Sequence, residues 1–312
     1  MNVDTHIASW LKAVSAWNGD ALVLLHGGVG KRRYYRVPLL NGTAVLMDAR
    51  KEPATLPQFR DIAIRLHDAG LSVPSILAQR DHFLLLEDFG DHAVLDALSA
   101  DTVDDIYAAI MRDLKTLQAL PVKGLPDFNT SVYEEKIAPL AHTPVFKQLM
   151  QEVHEQPFVP CHRDFHALNI MVRGADTSFS KNSDSPLGYL DFQGLSLGPI
   201  TYDLASLLMD CYIDWPQEQR RAWVARFYQM MKADPVMKGF NQQQFYRWFV
   251  VTGLMRHLRC YLLFSGLKTL NATMPYDAYL NRLQRYIDEA VLACPEYTVL
   301  GQLDPHFFGK GA

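Results

Sequence analysis

Cysteine is scarce in this chain, and what there is has no pattern. The four cysteines, Cys161, Cys211, Cys260 and Cys294, are scattered through 312 residues. That spacing excludes a C-x-x-C zinc or redox motif and a dense disulfide framework, and free thiols in a reducing cytoplasm are the expectation. Positive charge is not in excess either. A formal net charge of −4 argues against a nucleic-acid binder, which carries a basic face. No apolar run reaches membrane-spanning length without charges. The opening "MNVDTHIASWLKAVSAW" has neither the basic start nor the apolar core of a signal peptide. Ile7, Trp10, Leu11, Val14 and Trp17 instead mark one face of an amphipathic helix. The expectation is a cytoplasmic protein with no membrane, nucleic-acid or obligate protein partner. A hydrophobic content of 49% and a charged content of 21% suit a soluble enzyme with a sizeable core.

Two common phosphate-binding signatures are also missing. In "HGGVGKRRYYRV", starting at His26, Gly30-Lys31 is followed by Arg32 rather than Ser or Thr, which excludes a Walker loop. Arg33 stands where a dinucleotide fingerprint needs its third glycine. The stretch reads as strand, glycine loop, strand. That pattern covers ATP phosphates in kinases of the protein-kinase fold, and it is equally an ordinary hairpin turn with basic flanks.

What surrounds the loop is organised in two parts. Strands are expected at Ala21–Leu25, Tyr34–Leu40 and Thr43–Asp48, with Asn41-Gly42 as a hairpin turn. A helix over Leu56–Ala69 ends at Gly70, followed by short strands up to "FLLLED". From Asp101 the pattern becomes helical, with helices expected at Tyr202–Ile213, Gln217–Met231, Gln242–Leu263 and Asp277–Leu292. Two short extended patches, "NIMVRG" and "LGYLDFQ", interrupt them. The fold class expected is therefore α+β and bilobal. Residues 1–90 form a small N-terminal lobe with an antiparallel sheet, and 91–312 form a larger helical C-terminal lobe, with a hinge near Glu87–Asp91.

The chemistry is concentrated in "VPCHRDFHALNIMV". His162-x-Asp164 followed by Asn169 reproduces the H-x-D-x-x-x-x-N catalytic loop of the kinase fold, and "YLDFQ" supplies Asp191 at a strand end. Asn169 and Asp191 offer the hard oxygen donors that Mg²⁺ prefers. Asp164 would orient an acceptor hydroxyl and take its proton late in phosphoryl transfer. A zinc site on His162 and His166 lacks a third ligand and the H-E-x-x-H glutamate. No A-P-E element follows Asp191, and helix resumes at about Tyr202, leaving no room for a peptide platform. A small-molecule acceptor is expected.

"HRDFHALN", "LDFQ" and "GPITYDLASLL" together resemble the aminoglycoside phosphotransferase/choline kinase family, over essentially the whole chain. The resemblance implies ATP and Mg²⁺ as cofactors, Asp164 as the catalytic aspartate and Asn169 and Asp191 as metal ligands. It implies Asp203 as a buried brace for the catalytic loop, beside His162; Asp203 also reads as an ordinary helix-start acid. Within the family, "RRYYRV", "AVLMDA", "LSVPSILA", "FLLLEDFGD" and "GPITYDLASLLMDCYIDWP" are similar to bacterial N-acetylmuramate/N-acetylglucosamine kinases. These act at the anomeric hydroxyl in cell-wall sugar recycling. On that reading Gly28, Gly30, Lys31, Arg32, Arg33, Glu87 and Phe89 would contact the nucleotide. Asp164, His166, Tyr212 and Arg256 would contact the sugar.

The chain also departs from the family. Met47 stands where the strand lysine belongs, helix Leu56–Ala69 has no glutamate to pair with one, and Gln193 replaces a second acid after Asp191. One of Lys31, Arg32, Arg33 and Arg36 must then face the phosphates. Two alternatives stay open: another small-molecule kinase (acting on an aminoglycoside, choline, methylthioribose or homoserine), or a catalytically silent nucleotide-binding protein.

Overall fold

A computed structural model describes residues 5–25, 32–128, 138–173, 186–270 and 274–302. The glycine loop, with Gly28, Gly30 and Lys31, lies outside them. The chain divides into two compact units, one within Met1–Ile106 and Asn169–Gln193, the other within Tyr107–Leu168 and Gly194–Ala312.

The first unit is built on a five-stranded antiparallel sheet. Its strands are β1 (Val23–Leu25), β2 (Arg33–Pro38), β3 (Thr43–Asp48), β4 (Ile76–Arg80) and β5 (Phe83–Glu87), in the order β1-β2-β3-β5-β4. Alternation along β2 fixes its faces. Tyr35 and Val37 join Ala44, Leu46 and Leu85 in one core, closed by Trp10 and Leu11 of helix α1 (Thr5–Val14). Each large apolar side chain buried there contributes about 1.5–3 kcal/mol. The opposite face of β2 carries Tyr34, directly across from Met47 in the ladder.

Helix α2 (Leu56–Asp68) stops where the sequence says it should. Gly70 takes φ +79° and donates to the His67 carbonyl, while Leu71 N–H donates to Leu66, closing a Schellman motif. The remainder of this unit includes the short helix α3 (Val94–Ala97) and a hairpin of β7 (Ile170–Val172) and β8 (Leu187–Tyr189).

The second unit is helical, as expected. The helices Pro144–His154, Tyr202–Leu208, Gln217–Met231 and Tyr276–Ala293 all pack against a 29-residue helix, Gln242–Leu270. That helix is longer than its expected Gln242–Leu263. It buries Phe245, Trp248, Val251, Leu254, Met255 and Leu258, a spread that fits a helix covered on several sides.

Two features depart from the expected elements. The strand pair β6 (Phe158–Cys161) and β9 (Ser196–Pro199) was not foreseen, and β6 leads directly into the stretch that carries the H-x-D-x-x-x-x-N motif. The helix expected over Tyr202–Ile213 ends at Leu208. There the Asp210 carboxylate accepts hydrogen bonds from Tyr212 and Ile213 N–H, at 2.7 and 2.8 Å, and so turns the backbone out of the helix. All four cysteines are free thiols. Among the described residues no helix is long and apolar enough to cross a membrane.

Candidate active site

In the second unit, the motif loop leaves β6 at Cys161 and turns sharply at Arg163, whose φ of +76° lies in the left-handed region. A non-glycine residue held there costs on the order of 1 kcal/mol or more. The fully buried Asp203 accounts for its persistence. Its two carboxylate oxygens accept the His162 N–H at 2.6 Å and the Arg163 N–H at 2.9 Å. His162 is buried, edge-on to Phe165 at 5.6 Å.

Asp164 is half exposed, with His166 Nε2 3.2 Å from its Oδ1. Partial burial pushes its carboxyl up. The hydrogen bond and charge of His166, with Arg256 and His162 behind them, outweigh that and hold it well below the usual carboxylate range. It is thus a carboxylate that stays ionised while exposing its edge.

His166 in turn sits 5.1 Å from the Tyr212 ring, and Tyr212 is edge-on to Tyr279 at 5.3 Å. The result is a run of aromatic surface beginning at the aspartate's own hydrogen-bond partner. Arg256 hydrogen-bonds Ser206 Oγ at 2.7 Å, reaches the Arg163 carbonyl at 3.5 Å, and lies over the Tyr202 ring at 4.5 Å. Much of its hydrogen-bonding capacity is therefore engaged within the fold, close under the loop.

The other half of the motif belongs to the first unit. Asn169 precedes β7, and its carbonyl accepts the Leu190 N–H at 2.8 Å, so the segments bearing Asn169 and Asp191 are zipped together at one end of the hairpin. Asp191 takes φ +58°, which aspartate tolerates better than most residues, and accepts a hydrogen bond from Gln193. Phe192 behind it is buried against Phe59 of α2 at 4.8 Å.

One carboxylate and one carboxamide suit a small hard cation that takes its remaining ligands from water and phosphate. A dedicated protein cage does not: among the described residues no cluster of three or more His, Cys, Asp or Glu is placed to hold a metal. The donor set therefore fits Mg²⁺ carried with a nucleotide.

The expected adenine segment is held by a different network. Glu87 Oε1 accepts from Arg173 at 2.6 Å, and Oε2 accepts from Ser75 Oγ at 2.8 Å. Arg173 also donates to Ser72 Oγ, and its guanidinium lies 4.4 Å over the Phe89 ring. Phe89 also lies against Gly188, where an added Cβ would sit 2.4 and 2.6 Å from two ring carbons and 2.9 Å from Arg173 Cδ. Gly188→Ala is therefore expected to destabilise the protein by about 1–3 kcal/mol through overpacking. It should also weaken ATP binding, because Phe89 and its neighbours must move. A urea midpoint unchanged from wild type would show that the ring gives way freely.

Of the remaining basic residues, Arg33 is exposed. Arg36 is held by Asp88 at 2.6 Å and Asp91 at 2.7 Å. Arg32 lies on the Tyr34 side.

Residues 21–240 match the model of the phosphotransferase enzyme family. The chain belongs to that family. As a phosphotransferase of this kind it uses ATP as the phosphoryl donor. It is 29% identical to the N-acetylmuramate/N-acetylglucosamine kinase of Pseudomonas putida, over 87% of this chain and 84% of that one. It is likewise 29% identical to the enzyme of the same name from Neisseria meningitidis, over 95% of each. In fold it is similar to a choline/ethanolamine kinase family protein from Mesorhizobium loti, with a TM-score of 0.62 at 14% identity, covering 95% of this chain and 97% of that one. The fold is the protein-kinase-like one.

Several residues around the phosphotransferase motifs escaped the sequence reading. Asp210, besides turning the Tyr212 segment, reaches back to the Ala167 N–H of the motif loop at 3.5 Å. An aspartate followed within six residues by Pro216 was the available signal for that turn. Tyr279 and Arg173 gave no signal, since each acts across a long stretch of chain.

Proposed function

We propose that this phosphotransferase transfers the γ-phosphoryl group of ATP to the anomeric hydroxyl of N-acetylmuramate or N-acetylglucosamine. The observation that carries this reading is the Asp164 carboxylate, kept ionised by His166 and continuous with an aromatic surface from His166 through Tyr212 to Tyr279. A pyranose offers a hydroxyl for the first and an apolar ring face for the second. The identity with two curated sugar kinases over most of their length supports the same acceptor.

In this mechanism Asp164 accepts the hydrogen bond of the incoming hydroxyl, orients it towards phosphorus, and takes its proton as the new O–P bond forms. The bridging oxygen leaves with ADP. Because the transition state is loose, orientation matters more than the strength of the base. His166 and Arg256 steady the carboxylate, and Asp203 keeps the loop in its strained turn. Asn169 and Asp191 would hold Mg²⁺, which neutralises charge on the transferring phosphates. The nucleotide would lie along the sheet unit, near Glu87–Phe89.

The test is phosphorus NMR of the full chain with Mg-ATP and a panel of N-acetylmuramate, N-acetylglucosamine, choline and an aminoglycoside. A sugar 1-phosphate resonance is expected from at least one of the two sugars. Turnover of choline or the aminoglycoside, with none of either sugar, would replace this reading.

A further inference from the structure

The family's strand lysine is absent, and its position is filled by Met47, which is completely buried. Tyr34 stands directly across the β2–β3 ladder from Met47, so the two side chains share a face of the sheet. Arg32, two residues before Tyr34, shares that face by strand alternation. Its contacts agree: the guanidinium lies 5.7 Å from the Phe59 ring of α2, and its charge pulls the Tyr34 hydroxyl's pKa down against the upward push of burial.

The Arg32 side chain is only 8% exposed, yet its nearest carboxylate, Glu52, is 3.9 Å away. Its Nε is buried without a hydrogen-bond partner. A guanidinium this far out of water with so loose a counter-ion is poised for an anion.

The other two described candidates are placed differently. Arg33 is exposed on the opposite face, and Arg36 is tied to two aspartates.

We infer that Arg32 replaces the missing strand lysine as the cation that binds the polyphosphate of ATP, with Glu52 as its loose partner before the nucleotide arrives. The inference rests on the ATP-binding half of the proposed function and not on the identity of the sugar. An arginine suits the task because its planar fork can donate two parallel hydrogen bonds to phosphate oxygens. The charge has moved from β3 to the residue just before β2, and a methionine fills the space left behind.

Equilibrium binding tests this without turnover. Mg-ATP and adenosine are titrated against the full-length wild type, Arg32→Met, Arg32→Lys and, as a control, Arg33→Met, each checked for an unchanged thermal melt. Arg32→Met should weaken Mg-ATP binding by at least about tenfold, the worth of one charge-assisted hydrogen bond. Adenosine affinity should stay within about twofold. Arg32→Lys should recover part of the loss, and Arg33→Met should weaken Mg-ATP binding less than Arg32→Met does. Equal Mg-ATP affinity in Arg32→Met and wild type would overturn the assignment, as would a matching loss of adenosine. A folded wild type that binds no Mg-ATP would instead bring down the nucleotide reading itself.

Discussion

Asp164→Asn should lower kcat by about 10²–10⁴-fold, the usual contribution of a positioned proton acceptor, while Mg-ATP affinity and the melting temperature stay close to wild type. The carboxamide keeps the size of the carboxylate and can still accept a hydrogen bond. It cannot take the acceptor's proton, and its NH₂ group can turn towards the incoming hydroxyl. Single-turnover phosphoryl transfer, measured beside nucleotide binding, separates the chemical step from affinity.

The pH profile gives the same prediction a second readout. The Asp164 carboxyl is held below the usual range, so its base form exists above that depressed pKa and is lost only as pH falls through it. The wild-type acid limit set by this group should therefore lie below that of an ordinary aspartate. His166→Ala removes both the 3.2 Å contact and the largest favourable charge, leaving the upward push of burial in place. Its acid limit should move to higher pH. An acid limit in His166→Ala identical to wild type would mean that the histidine does not govern this carboxylate.

How much of this was legible in the sequence depends on the range of each interaction. The end of α2 was readable because a Schellman motif is local, and Gly70 with Leu71 spells it out within five residues. The H-x-D-x-x-x-x-N spacing was readable for the same reason. The run Tyr202–Ile213 misled because its apolar periodicity continues past the point where one carboxylate, Asp210, captures two backbone donors. Local side-chain capture outweighs periodicity at a helix end.

The partners of the basic residues could not be read at all. Arg36 meets Asp88 and Asp91, and Arg173 meets Glu87, across 52, 55 and 86 positions of chain. No local pattern encodes such pairs. Helix Leu56–Ala69 carries no glutamate, and the carboxylate beside Arg32 is Glu52, in the turn just before that helix. Strand alternation separated Arg32 from Arg33, but only the ladder register showed which of them shares a face with Met47.

Asp203→Asn should impair both folding stability and turnover, because one buried group holds the start of the motif loop. Both of its carboxylate oxygens accept backbone N–H groups, from His162 and Arg163. Asparagine can offer an oxygen to only one of them and turns an NH₂ towards the other. A buried donor left unpaired costs about 1–3 kcal/mol. The strained turn at Arg163 then loses what holds it, and Asp164 is the next residue along. Turnover should fall well beyond what the stability loss alone explains.

The pH dependence distinguishes this from generic core damage. Burial raises the Asp203 carboxyl to about 6, against the opposing pull of the two backbone donors and of Arg256 and Arg163. Its folded pKa lies above the ordinary value of about 3.9. Between those two values the native state therefore binds more protons than the unfolded chain, and the group's contribution to stability falls as pH rises through that window. The asparagine variant lacks this term. The stability gap between wild type and Asp203→Asn, read from urea midpoints, should be wider at pH 5 than at pH 7. A gap that widens towards pH 7 would mean that Asp203 favours its charged form in the fold, with the backbone donors outweighing burial.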